Sequence, residues 1–237
     1  MEKVNEAEEK SKRHFRGASS DLTWADDSKW RKAARTLSLS MDMMKPEGKV
    51  CLSLGCGWGR FLRAYIGRGA KLVIGADLNT DNLFKCKQTG ANLVRCDIEC
   101  LPIQNNSIEA MECVATVEHL PHPSRLVEEI RRISAKNGIS FVTWVSFDWS
   151  KLFTDRQVRQ RFFMNIRDTI FDLLPASVAG NMVKLHVPFA GDYGIFRNKG
   201  FSFSEVSNIY NAASMHITWS EKFSDENLIG VAALPAG

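Results

Sequence analysis

The sequence predicts an α/β fold: a doubly wound, Rossmann-like, seven-stranded and mostly parallel sheet with helices on both faces and a helical cap. Three observations carry this prediction. Apolar runs of strand length alternate with amphipathic stretches of helix length from about residue 50 to residue 146, the first run ends in alternate glycines, and the next two end in aspartates. Such alternation packs the strands parallel with helices on both faces, and it puts a ligand crevice outside the carboxyl ends of the strands.

The first unit is Leu52-Ser-Leu-Gly-Cys-Gly-Trp-Gly-Arg60, a strand that turns into a helix through Gly55, Gly57 and Gly59. Glycine suits such a turn because a Cβ would block both positive backbone angles and the close approach of a ligand. Taken alone, the triplet fits an ordinary glycine-rich turn as well as a nucleotide site. The dinucleotide fingerprint puts its third glycine one position later, where this chain has Arg60, and a long charged side chain opposes the close packing needed there.

Phe61 to Ile66 follows with helical spacing and Gly67 and Gly69 as stop signals. The second strand, Leu72 to Asp77, ends in an acid at the distance where nucleotide-binding folds set a carboxylate on ribose hydroxyls, although Asp77 also fits a solvated loop acid or the cap of a helix starting near Thr80. A third strand, Ala91 to Cys96, ends in Asp97, a second carboxylate better matched to an adenine amino group than to a nicotinamide dinucleotide. Ile108 to Ala115 reads as a buried fourth strand, and Pro123 to Ile133 as a helix with Leu126, Val127, Ile130 and Ile133 on its apolar face. Asn137-Gly138 is expected to end that helix before a fifth strand, Ile139 to Ser146. Gly200 to Val206 and Leu228 to Ala233 are expected to be the antiparallel strands that close the sheet.

Two regions flank this core. Residues 1–47 are expected to form a helical lid segment, in which Trp30, Ala33, Ala34, Leu37, Met41 and Met44 recur at helical intervals, fitting a helix that packs on the sheet or covers the site, with Trp24 and Trp30 as a candidate cover. Residues 48–237 form the main domain, with a helical cap inserted at about 149–188. The cap carries a stripe of Val158, Phe162, Ile166, Ile170 and Leu174 beside Arg156, Arg159, Arg161 and Arg167. The stripe fits a cap packed on the main domain, a lid over a hydrophobic substrate or a membrane-surface contact, and the arginines fit a solvated face or an RNA-facing edge.

Composition agrees with one enzyme-sized domain, since 237 residues at 44% hydrophobic can bury a large core. The net charge of +4 permits acidic partners without requiring them. A charged stretch from Glu2 through Lys12 is unlike a secretory signal, and no apolar stretch approaches the roughly 20 residues of a membrane span, so a cytoplasmic protein is expected. The six cysteines read as reduced core residues. Cys96 and Cys100 with His119 or His122 are a conceivable zinc set, but free cysteines are commonly buried as small hydrophobes and no metal is expected.

In their order these residues resemble the class I S-adenosylmethionine-dependent methyltransferases, and within them the ubiquinone and menaquinone biosynthesis group, over roughly residues 48 to 146. Leu54 to Arg60 is similar to the family's first motif and Gly75-Ala-Asp77-Leu78 to its second-strand acid. Asp97 with Leu101-Pro102 and Asn105 to Ser107 resembles its third-strand region, and Val117 to Pro123 followed by Glu129 to Arg132 resembles the stretch after its fourth strand. The resemblance implies S-adenosylmethionine as cofactor, with Gly55, Gly57 and Gly59 against its methionine part, Asp77 on the ribose, and Asp97 with Ile98 on the adenine. Ser53, Cys56, Leu78, Val114 and Ala115 complete the implied cofactor-binding set.

The chain departs from the family where Ser53 replaces the acid that commonly precedes the glycines, so no charge is supplied there to the cofactor's amino group. Trp58, Ile108-Glu109 and Lys136-Asn137-Gly138 are further departures. A sulfonium methyl carbon is already electrophilic, so positioning does most of the work and a general base is needed only if the acceptor loses a proton. Glu118 and His119 are the candidate catalytic residues, with helix entry or structural hydrogen bonding as their other reading. The expected function is methyl transfer to a small-molecule acceptor. A tRNA-nucleoside methyltransferase, with tRNA as partner, and a non-catalytic S-adenosylmethionine-binding protein are the alternatives.

Overall fold

The computed structural model describes residues 27–146, 200–223 and 228–236, with side chains from residue 34 onward. Its seven strands are β1 (Val50–Leu54), β2 (Leu72–Asp77), β3 (Asn92–Arg95), β4 (Ile108–Cys113), β5 (Ser134–Val145), β6 (Met215–Phe223) and β7 (Leu228–Pro235). They form one sheet in the order β3-β2-β1-β4-β5-β7-β6. The first five strands run parallel, β7 pairs antiparallel with β5, and β6 pairs antiparallel with β7. The described helices are α1 (Asp27–Met44), α2 (Arg60–Gly67), α3 (Thr80–Cys86), α4 (Pro123–Ile133) and α5 (Phe203–Ala212). Strand order reverses between β1 and β4, which opens a crevice at their carboxyl ends, as the doubly wound reading expects.

Alternate side chains of the central strands feed two cores. Leu52, Leu54, Met111, Cys113, Val142 and Trp144 face α4 and α5, where Leu126, Val127, Ile130, Ile133, Val206 and Tyr210 are buried. Cys51, Ala110 and Phe141 face the other way, against Met41 and Met44 of α1 and Leu62 and Tyr65 of α2. This period of two is why these strands read as continuous apolar runs, since both faces are covered.

Three expectations need correction. Helix α4 stops at Ile133 and β5 starts at once at Ser134, so Asn137-Gly138 lies inside the strand rather than at a helix end. The β4–β5 register jumps there, from Ile108↔Ser134 to Ala110↔Ile139. A Cβ on Gly138 would sit 2.6 Å from the Ile108 carbonyl oxygen, so the glycine serves close backbone approach at the irregularity.

The segment from Gly200 to Val206 is not a closing strand. Phe203–Ala212 is helical, and Ser202 and Glu205 form a reciprocal capping box at its start. The alternation of Phe and Ser suggested a strand, but Ser-x-x-Glu is the stronger signal. Only Phe201 bridges to Ser146, and the closing strands are β6 and β7.

Asn79, rather than Asp77, caps α3, accepting from the Asp81 and Asn82 amides. The cysteines divide: Cys51, Cys56, Cys86 and Cys113 are buried, Cys96 is half-buried and Cys100 is exposed. The cap at 149–188, Trp24, and the side chains of Trp30 and Ala33 lie outside the described residues. Among the described residues no helix is long and apolar enough to cross a membrane.

Candidate cofactor site

The chain leaves β1 through a turn built on positive backbone angles, with φ of 68° at Gly55, 50° at Gly57 and 75° at Gly59. The Gly55 and Cys56 amides both donate to the Ala76 carbonyl, at 2.8 and 3.0 Å, which hangs the turn on the end of β2. Each glycine has its own reason to be there. A Cβ on Gly55 would meet Thr116 Oγ1 at 2.6 Å, and one on Gly59 would meet Cys86 Sγ at 2.9 Å. A Cβ on Gly57 would meet nothing within 4 Å, so the first and third glycines are packed against protein and the middle one faces open space.

Asp77 closes β2 beneath this turn and is 8% exposed. Its Oδ2 accepts from the Gly57 amide at 2.8 Å and from Asn82 Nδ2 at 3.3 Å, and its Oδ1 accepts from the Asn79 amide at 2.8 Å. Burial raises its pKa, and the hydrogen bonds oppose that rise. Leu78 beside it is half-buried. Arg95, the last residue of β3, is in register with Asp77, so Asp97 follows on the neighbouring strand end. Asp97 is half-buried and accepts from the Glu99 amide at 3.0 Å, whereas the Ile98 side chain is buried in the main core.

Past the end of β4, Val114 is half-buried and Ala115 has a φ of 54°, an uncommon angle for a residue with a Cβ. The Ala115 amide donates to Thr143 Oγ1 at 3.0 Å, which holds that strained position. A short 3-10 turn, Val117–His119, comes next. Glu118 is buried, with no hydrogen-bond partner for Oε2 among the described residues, while His119 is half-buried. The structure thus brings the glycines, Asp77, Asp97, Val114 and Ala115 to the carboxyl ends of four adjacent strands, with Glu118 and His119 on the turn that follows.

Two neighbours of the turn escaped the sequence reading. Cys86 of α3 donates through Sγ to the Gly57 carbonyl at 3.1 Å and also contacts the Cys56 thiol. Glu112 of β4 lies in register with Ser53 and is 2% exposed. A glutamate inside an otherwise apolar strand was the available signal for Glu112. Nothing in sequence spacing announced Cys86.

A turn whose middle glycine leaves open space beside a buried carboxylate suits a ligand with an adenosyl part, and these residues fit S-adenosylmethionine. Among the described residues no group of three or more His, Cys, Asp or Glu could hold a metal ion. Residues 52–142 match the family model described as "Methyltransferase domain". This segment is a class I, S-adenosylmethionine-dependent methyltransferase domain.

The methyltransferase domain is 25% identical over 107 residues to a ubiquinone biosynthesis O-methyltransferase of Neisseria meningitidis, a match covering 42% of this chain and 45% of that protein. The chain thus spans under half the length of that relative. A tRNA U34 carboxymethyltransferase of Pseudomonas fluorescens is 38% identical over 74 residues, covering 31% of this chain and 20% of that protein. Among solved structures, the 1,6-didemethyltoxoflavin-N1-methyltransferase of Burkholderia thailandensis, with bound 1,6-didemethyltoxoflavin and S-adenosylhomocysteine, superposes with a TM-score of 0.67 at 12% identity. That superposition covers 99% of this chain and 91% of the other, and it shows the shared fold.

Proposed function

We propose that this chain transfers a methyl group from S-adenosylmethionine to a small-molecule acceptor. The observation that carries the reading is the pairing of Gly57 with Asp77: a turn with open space where Gly57 lacks a side chain, tied at 2.8 Å to the acid that ends the next strand, at the point where strand order reverses. When bound, the cofactor supplies a methyl group on a positively charged sulfur. The protein's part is to hold and orient.

The turn from Gly55 to Gly59 gives bare backbone against which the methionine part rests. Asp77, fixed by Gly57, Asn79 and Asn82, receives the ribose hydroxyls, and Asp97 receives the adenine amino group with the Ile98 main chain, Leu78 and Val114 beside it. Orientation of this kind is worth about 7–11 kcal/mol of barrier. His119, half-buried on the turn after β4, is the residue placed to take a proton from an acceptor that must lose one. Glu118, buried on the same turn, is the second candidate for that role.

Calorimetric titration with S-adenosylhomocysteine tests the cofactor half of the reading, with saturable binding expected and absence of binding at millimolar ligand overturning it. The tRNA reading draws on the Pseudomonas match and on the arginines at 156–167. A salt-dependent shift with tRNA would favour it over a small acceptor.

A further inference from the structure

Glu112 is a carboxylic acid in the middle of the sheet that the site described so far leaves unused. It is 2% exposed, and its Oε1 has no hydrogen-bond partner among the described residues. Among the described residues the Ser53 hydroxyl bonds to it, from the position in register on β1. Ser53 and Glu112 share the sheet face of Cys51 and Ala110, and both stand within two residues of the strand ends from which the glycine turn and Val114 emerge. A buried carboxylate without a cation or a full set of donors is costly, so it either stays protonated or awaits a positive partner.

Among the described residues, no element packed around Glu112 supplies that partner. Helix α1 contributes Met41 and Met44 to this face, α2 contributes Tyr65, β1 contributes Cys51 and Ser53, the turn contributes Cys56, and β5 contributes Phe141 in register. The titratable groups whose charge state Glu112 influences are Tyr65, Cys56 and Cys113, all of them acids. Burial pushes the Glu112 pKa up to about 8, and only the Ser53 hydroxyl opposes this.

We infer that Glu112 is the anionic receptor for the α-ammonium of the cofactor's amino-acid end, so that β4 supplies the charge that Ser53 on β1 lacks. This rests on the S-adenosylmethionine reading of the turn. Near neutral pH the free protein holds a proton on Glu112. Arrival of the ammonium releases that proton to solvent and leaves a carboxylate paired with a cation. Binding of the amino-acid end is therefore coupled to loss of one proton, and the site selects ligands that carry a positive charge at this point.

The test titrates the full chain at pH 7 with S-adenosylhomocysteine and with 5′-methylthioadenosine, which keeps the adenosine and sulfur but lacks the amino-acid end. Each titration is run in two buffers of different protonation enthalpy. The expected result is release of close to one proton with S-adenosylhomocysteine, none with methylthioadenosine, and loss of the release at pH 9.5. In Glu112→Gln the affinity for S-adenosylhomocysteine is expected to fall at least tenfold, with the affinity for methylthioadenosine unchanged and no proton released. Binding of S-adenosylhomocysteine by the unaltered protein without proton release overturns the inference alone, as does equal weakening of both ligands in the variant. Failure of the unaltered protein to bind either ligand removes the cofactor reading and this inference with it. The proton count uses only the unaltered protein, so it decides the matter even if Glu112→Gln does not fold.

Discussion

Asp77 Oδ2 accepts a 2.8 Å hydrogen bond from the Gly57 amide, so the acid that ends β2 also fixes the turn that follows β1. Replacing Asp77 with Ala would leave the half-buried Gly57 amide and the buried Asn79 amide without their acceptor, a loss of up to about 1–3 kcal/mol in unfolding free energy per unpaired group. Asp77→Asn keeps the shape and one acceptor oxygen, so it is expected to lose less stability while still weakening S-adenosylhomocysteine at least tenfold. Chemical denaturation and calorimetry on the two variants separate the structural share from the binding share. Equal binding by Asp77→Asn and the parent would remove Asp77 from the ribose.

The glycines can be distinguished in the same way. Gly57→Ala places a methyl group where nothing lies within 4 Å, so it should lose only the roughly 1–2 kcal/mol of a left-handed alanine while abolishing ligand binding. Gly55→Ala drives a methyl group to 2.6 Å from Thr116 Oγ1 and should destabilise the fold further. The double variant Gly55→Ala, Thr116→Ala is expected to recover that extra loss, and thermal denaturation of the three variants measures it.

Glu112 gives the free protein a pH dependence of defined sign. Its folded pKa, about 8, lies above the ordinary glutamate value, so the native state binds the proton more tightly than the unfolded chain does. Its favourable contribution is full below the ordinary value and is lost as pH rises toward 8, at a slope of no more than about 1.4 kcal/mol per pH unit. Glu112→Gln should flatten the dependence of melting temperature between pH 5 and pH 8 and raise it at the alkaline end. A parallel curve would show that Glu112 is not protonated in the free protein.

Arg132 ties the loop after β3 to α4. Its guanidinium donates to both carboxylate oxygens of Glu129 at 2.7 Å, to the Leu101 carbonyl at 2.9 Å, and to the Ile103 carbonyl and Asn105 Oδ1 at 2.7 Å. Glu129 Oε2 in turn accepts from the Leu101 amide. The Arg132 guanidinium holds the Glu129 carboxyl below its ordinary pKa, so this contribution is present above that value and is lost as pH falls through the lowered one. Arg132→Ala should cost about 1–3 kcal/mol, discounted for the partial exposure of the pair, and Arg132→Lys should not restore it because an ammonium cannot span the planar set. Denaturant titration near pH 7 and pH 4 checks both statements.

Much of this molecule was legible because its signals are local. β2 was bounded correctly at both ends, α4 ran from Pro123 to Ile133 as its apolar stripe required, and the glycine turn declared its backbone angles through residue type alone. The errors came where a local signal had two meanings. Asn137-Gly138 resembles a helix stop, but Gly138 is needed for the approach of the Ile108 carbonyl, a contact made between strands. Phe201 to Ser204 alternates like a strand, although Ser202 and Glu205 already encoded a cap worth about 0.5–2 kcal/mol. The pairing of Ser53 with Glu112 was out of reach for a similar reason, because it depends on which strand lies beside β1 and in what register.

The sheet also controls how it meets other molecules at its margins. One margin is β3, only four residues long, and the other is β6, whose outward positions His216, Thr218, Ser220 and Lys222 are exposed and polar. Arg35 from α1 reaches Glu221 at 3.0 Å and places its guanidinium 5.3 Å from the Phe223 ring, so a helix side chain leans across that outer strand. Short length at one border and polar, partly shielded side chains at the other both disfavour the docking of a foreign strand. Assembly of copies by extending the β-ladder is thereby discouraged, and any self-association falls to helix faces and loops.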